Sequence, residues 1–151
     1  MSLDSKIAFV TGSSRGIGRA IALELADRGA IVVLHGSSES ARLRQTSEEI
    51  RDRGGTVHMV LGDWSEPDQV ARAAGEAWSI AGRIDILINN AGVALNKPLF
   101  ETSDAEVLTI LNVNFMGAYI VTREICRRMV ADSIPGRVLT MTSINGIRPA
   151  N

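Results

Sequence analysis

Five short apolar runs, each separated from the next by a segment long enough for a helix, restrict what this 151-residue chain can fold into more than any other feature. They are Ile7 to Val10, Ala30 to Leu34, Thr56 to Leu61, Ile84 to Asn89 and Arg137 to Thr142. Strand and helix in alternation imply parallel strands, because a parallel pair needs a long crossover where an antiparallel pair needs only a tight turn. Ile31-Val32-Val33-Leu34 and Ile86-Leu87-Ile88 show no in/out alternation. Such strands are covered by helices on both faces. Helix punctuation agrees with this reading. Ser65 with Asp68 and Ser103 with Glu106 have capping-box spacing. Val70, Ala74, Ala77, Trp78 and Ala81 follow one helical face to Gly82, and Gly29 and Gly54-Gly55 terminate two further helices. The expected fold is α/β, a doubly wound parallel sheet in a single domain over residues 1–151, with no linker, repeat or low-complexity tract.

Composition narrows the partners. An apolar content of 45% with 22% charged residues is enough to bury a core. The formal net charge is −1, with acids and bases interspersed, so there is no basic stripe to neutralise a phosphate backbone. Nucleic acid is not an expected partner. The lone Cys126 cannot form an internal disulfide and suits a buried apolar role in a reducing compartment. No leader-like segment and no apolar run of membrane-spanning length is evident, so a cytoplasmic location without a membrane partner is expected. His35 and His58 are not expected to be catalytic. No grouping of His, Cys or carboxylates has metal-ligand spacing, and no metal is expected.

The junction Thr11-Gly12-Ser13-Ser14-Arg15-Gly16-Ile17-Gly18 lies between the first strand-like run and the helical Ala20-Ile21-Ala22-Leu23. Small residues there let a pyrophosphate approach the backbone, and the first free N–H groups of the helix point at the anion. The spacing T-G-x-x-x-G-x-G is neither the common G-x-G-x-x-G fingerprint nor the G-x-x-x-x-G-K-[ST] phosphate loop. Ser14 and Arg15 could reach phosphate oxygens, and Ile17 would pack near the cofactor. An acid after strand two would bind the ribose hydroxyls of NAD and repel the 2′-phosphate of NADP. That position falls in His35-Gly36-Ser37-Ser38, which has no carboxylate. Arg15 with Ser37 or Ser38 therefore favours NADP(H) over NAD(H), with Glu39 close by as the opposing feature.

Three further segments stand in order after the glycine turn: Asn89-Asn90-Ala91-Gly92, Asn114 within Asn112-Val113-Asn114-Phe115-Met116-Gly117, and Ser143 after Val138-Leu139-Thr140-Met141-Thr142. Together the four resemble the short-chain dehydrogenase/reductase family. The resemblance implies the N-terminal part of a Rossmann-type sheet in the order 3-2-1-4-5. It implies cofactor contacts from Gly12, Gly16, Gly18, Asp63 (to the adenine amino group), Asn89, Ala91 and Gly92. Trp64 stands where the family carries a small aliphatic residue, and could pack on the adenine or lean on a helix. Asn90 is assigned to bracing. Asn114 would hold a water in a proton relay, and Ser143 would polarise a substrate carbonyl.

In the family a tyrosine and, four residues later, a lysine come after that serine; neither occurs through Asn151. Tyr119 is followed at the fourth position by Arg123 and cannot stand in. The expectation is the greater part of an NADP(H)-dependent oxidoreductase acting on a carbonyl or alcohol, incomplete at its C-terminus and inactive alone. The alternative is a non-catalytic nucleotide-binding or oligomerisation module. A homodimer or tetramer is implied through the Asn112 to Ala131 segment. Substrate contacts are expected only from Ala94 to Phe100 and Ile144 to Asn151. Strand five, with Val138, Leu139 and Met141, would be an uncovered edge needing more polypeptide, a partner or a swap.

Overall fold

The computed structural model describes residues 2–144. Elements alternate as β1 (Ile7–Val10), α1 (Gly16–Asp27), β2 (Ile31–Gly36), α2 (Ala41–Asp52), β3 (Val57–Leu61), α3 (Pro67–Ala81), β4 (Ile86–Asn89), α4 (Asp104–Leu111), α5 (Ala118–Ala131) and β5 (Arg137–Thr140). All pairings are parallel, and the sheet order is β3-β2-β1-β4-β5. The expected α/β topology is therefore the observed one.

The apolar strands serve two cores. Phe9, Val33 and Leu87 face a cluster with Val70, Ala74, Ala77, Val121 and Ile125 of α3 and α5. Val10, Val32, Leu34 and Ile88 face Ala22, Leu23, Leu43 and Ile50 of α1 and α2. Alternate residues of one strand thus enter opposite layers, which is why the sequence shows no polar alternation. Each fully buried Phe, Leu or Ile contributes on the order of 1.5–3 kcal/mol. β5 differs: all four of its residues are exposed, and it pairs only with β4 among the described residues. It is the expected open edge.

One local reading changes. The Ser65–Asp68 capping box does not form; α3 begins one residue later, with Glu66 at its cap and Pro67 in the first turn. Proline, lacking an N–H, is suited to the first helical position and sets the start there. Ser65 instead donates its backbone N–H (2.9 Å) and hydroxyl (2.8 Å) to Asp63 Oδ1. The second box does form: Ser103 caps α4, and Glu106 reaches back to the Ser103 N–H at 2.8 Å. The Ser103 N–H and hydroxyl, with Lys97, hold the Glu106 carboxyl down to about 2.

α4 and α5 are one continuous helix, Asp104–Ala131, joined by a π-helical turn over Asn112–Gly117. By length and composition alone it is long and apolar enough to cross a membrane, which the sequence pattern did not suggest. Val113, Ile120, Val121, Ile125 and Met129 nevertheless lie in the core beneath the sheet, the ordinary place for an apolar helix of an α/β layer.

Candidate functional site

At the carboxyl edge of the sheet, β1 lies between β2 and β4, so successive crossovers leave it on opposite sides. A crevice opens at such a switch point. The turn after β1 forms its floor and is pinned from both sides. Thr11 Oγ1 accepts the N–H groups of Asn90 and Ala91, each at 3.0 Å. Asn90 Nδ2 donates to the carbonyls of Thr11 (3.0 Å) and Gly12 (3.1 Å). Asn90 is thus the brace expected from the sequence.

Glycine is required here for two reasons. Gly12 has φ +64°, and a Cβ there would stand 2.8 Å from Ala91 Cα. A Cβ on Gly18 would lie 2.3 Å from Asn90 Nδ2 and 2.4 Å from Gly12 O. The third glycine therefore lets the helix start pack against the loop after β4, and Gly18 does not line the crevice.

The crevice is a cavity of about 600 Å³. Of the residues expected to bind a cofactor, Gly12, Ser14, Arg15, Gly16, Ile17, Ser37, Asp63, Trp64, Ala91 and Gly92 line it. Ser38 stands outside it in the exposed β2–α2 loop, where its carbonyl accepts the Ser40 N–H. Asn89 is a correction. Its buried side chain turns from the cavity, and Nδ2 donates to Thr122 Oγ1 (2.8 Å) and Thr140 Oγ1 (3.3 Å). An asparagine closing a strand flanked by α5 and β5 gives its amide N–H groups to their hydroxyls and so ties three elements together, while its buried Oδ1 makes no hydrogen bond among the described residues.

Asn114 also stands outside the cavity lining and is exposed rather than buried. Its Oδ1 accepts the Val93 N–H and its Nδ2 donates to the Val93 carbonyl, both at 2.8 Å. The π-helical irregularity over Asn112–Gly117 and a specific amide contact thus occur at the same residue. One further lone pair and one further N–H remain on that amide. Ser143 comes after β5 at the same carboxyl edge, beyond the cavity lining. Of the segments expected to meet substrate, residues 145–151 lie outside the described residues.

Sequence alone gave no role to His35, whose ring lines the cavity although only 2% of the residue is exposed. Nδ1 accepts the Gly12 N–H at 3.0 Å, and Nε2 lies 3.0 Å from the Gly62 carbonyl. Burial lowers its pKa to about 4, against a partial upward pull from the Gly62 carbonyl and Asp63. The ring is neutral at pH 7. Trp64 stacks on it at a centroid distance of 3.6 Å and also presses on Gly117, where a Cβ would come within 2.4 Å of the indole. Of the two alternatives posed for Trp64, the lean on the helix is present, and the residue also lines the cavity. A polar residue near the end of an apolar strand, beside a glycine turn, was the available signal for His35. Val93, Thr109 and Val113 complete the far wall. Among the described residues no cluster of His, Cys or carboxylates could hold a metal.

Residues 6–151 match the family model described as short chain dehydrogenase. The chain belongs to the short-chain dehydrogenase family. A relative from Aquifex aeolicus, named 3-oxoacyl-(acyl-carrier-protein) reductase, is 35% identical over 97% of this chain and 58% of its own length. A short-chain type dehydrogenase/reductase of Picea abies is 38% identical over 93% of the chain and 55% of its own length. The chain therefore spans little more than half the length of these curated relatives. Among solved structures, a 3-oxoacyl (acyl-carrier-protein) reductase from Agrobacterium tumefaciens with NADP bound superposes with a TM-score of 0.90 at 36% identity, covering 99% of this chain and 57% of that one. A metagenomic short-chain oxidoreductase in complex with NADP gives 0.91 at 36% identity, covering 99% and 67%.

Proposed function

We propose that this chain binds NADP(H) in the crevice and forms the cofactor-binding part of an oxidoreductase that moves hydride between nicotinamide and a carbonyl or alcohol carbon. The observation that carries the reading is the open start of α1. Its cap residue Arg15 makes no side-chain cap bond, and its first turn holds no carboxylate. α2 and α4, by contrast, are capped by Ser40 and Ser103. Uncapped N–H groups at a helix start, with the dipole behind them, suit an anion. Gly16 adds room, since nothing lies within 4 Å of where its Cβ would stand. These residues fit a dinucleotide pyrophosphate.

NADP(H) is favoured over NAD(H) by the end of β2. Gly36 and Ser37 line the cavity and present no acid to the adenosine ribose. The Arg15 guanidinium has no ion-pair partner among the described residues and suits a 2′-phosphate. Glu39, the opposing feature in the sequence, lies outside the cavity lining and accepts from Arg44 at 3.2 Å. The two NADP-bound neighbours support the same choice.

When bound, the nicotinamide supplies the hydride chemistry. Ser143 would donate a hydrogen bond to the substrate oxygen, one that strengthens as charge develops there. Asn114, oriented by the Val93 backbone, would hold a water with its remaining donor and acceptor. No proton donor is assigned within residues 1–151, because Tyr119 lies half exposed on the helix surface with Arg123 5.7 Å over its ring. A second copy of the chain is the partner proposed for the outer face of α4–α5, where Leu108, Leu111 and Phe115 are exposed.

Titration with NADPH and NADH followed by nicotinamide fluorescence tests the reading. NADPH should bind about tenfold tighter, and Arg15→Ala should remove most of that preference. Equal affinities would overturn the cofactor choice, and no binding of either would overturn the function. Carbonyl-dependent NADPH oxidation by residues 1–151, abolished in Ser143→Ala, would overturn the assignment of no proton donor.

A further inference from the structure

The imidazole of His35 joins the two walls of the crevice from beneath. An Nδ1 that accepts the Gly12 N–H carries no proton, so the proton of the neutral ring sits on Nε2 and is donated to the Gly62 carbonyl. The peptide of the same residue holds the next position of the turn. The His35 N–H donates to Ser13 Oγ (2.8 Å), and the Ser13 N–H donates to the His35 carbonyl (3.0 Å). Gly62 is fixed in turn by donating its N–H to the Gly36 carbonyl at 3.1 Å. It leads directly into Asp63 and Trp64 of the opposite wall. Phe9, perpendicular to the ring at a centroid distance of 6.5 Å, and Trp64, tilted by 39° at 3.6 Å, pack against it.

We propose that His35 is a positioning residue for the cofactor: the Nε2–H tautomer of its imidazole sets the separation of the Gly12 turn from the Gly62–Trp64 wall before the dinucleotide arrives. This rests on the NADP(H) reading above. With the Gly12 N–H turned inward onto the ring, the anion is left to the N–H groups at the start of α1. The donor to the phosphate and the donor to the protein are thus separated within one turn. Presetting both walls removes ordering that binding would otherwise have to impose. Because the ring bonds to Gly12 and Gly62 and to neither Arg15 nor Ser37, the strut acts on NADPH and NADH alike.

The test replaces one end of the strut at a time. Asn at position 35 places Oδ1 near the Nδ1 position and keeps an acceptor for Gly12. Gln places an amide N–H toward the Gly62 carbonyl and lacks that acceptor. NADPH and NADH dissociation constants are measured for wild type, His35→Asn and His35→Gln. Urea denaturation and Trp64 emission are followed in a Trp78→Phe background. His35→Asn should bind within about threefold of wild type and His35→Gln should lose about tenfold, with the NADPH to NADH ratio unchanged in both. Equal affinities in the two variants, or losses that merely follow their urea midpoints, would overturn the strut. Failure of the wild type to bind either nucleotide would instead overturn the cofactor reading.

Discussion

β1 and β5 end at the same edge of one sheet, yet the segments leading out of them are held in opposite ways. All four residues of β1 are buried between two neighbours, and the turn beyond it is tied down by Thr11, Asn90 and His35. The residues of β5 are exposed, with Leu139 at 51%, and they lead to Ser143 from an open edge. The two halves of the proposed chemistry therefore have different supports. The half that would grip the pyrophosphate is preset by contacts among residues 8–117. The half that would meet the substrate depends on whatever covers β5.

The sharpest way to break this contrast is Gly18→Ala. A Cβ at 2.3 Å from Asn90 Nδ2 and 2.4 Å from Gly12 O forces the helix start off the loop after β4. We expect a loss of about 3 kcal/mol in urea unfolding, together with loss of nucleotide binding. A variant of wild-type stability would show that the turn is not pinned.

Acid should act on the same place almost as strongly. His35 titrates at about 4 in the folded chain against 6.5 for the free side chain. The unfolded chain therefore binds this proton first as pH falls. The contribution of His35 is fully present above pH 6.5, declines between 6.5 and about 4, and amounts to about 3 kcal/mol. Denaturation midpoints across that range should show the slope, and His35→Asn should flatten it.

Asn90→Ala removes the donor to two carbonyls, and about 2 kcal/mol with weakened NADPH binding is expected from calorimetry. Ser103→Ala lies outside the comparison and calibrates it. Loss of the α4 cap should cost about 1 kcal/mol with nucleotide affinity unchanged. At the open edge Leu139→Lys should move stability by less than about 0.5 kcal/mol while reducing self-association in sedimentation. A large destabilisation there would mean that β5 is as firmly held as β1.

Much of this was legible in the sequence, and the reasons differ by residue. The strand order follows from alternation and the family's motifs, because crossover handedness leaves few alternatives. Gly12, Arg15 and Gly16 could be placed at the crevice because a tight strand-to-helix turn needs small residues at fixed offsets from one helix start. Asn89 could not, since two adjacent asparagines are interchangeable in sequence. The pleat sends one toward Thr122 and Thr140, and the chain's departure from the strand sends the other to the Gly12 turn. The Ser65–Asp68 spacing misled for a local reason, as Pro67 moves the helix start. His35 escaped notice because its partners lie beyond the ends of β1 and β3, 23 and 27 positions away.

The parallel α/β fold, the family and the place of the glycine turn at the crevice follow from the sequence. Those depend on periodicity and on short-range stereochemistry, which neighbouring residues impose on one another. Tertiary contacts alone turn Asn89 from the crevice to Thr122 and Thr140, pair Glu39 with Arg44 outside it, and lay one neutral imidazole across its floor. Those depend on which side chains from distant strands share a few ångströms of dry space, and burial there dictates both partner and protonation state.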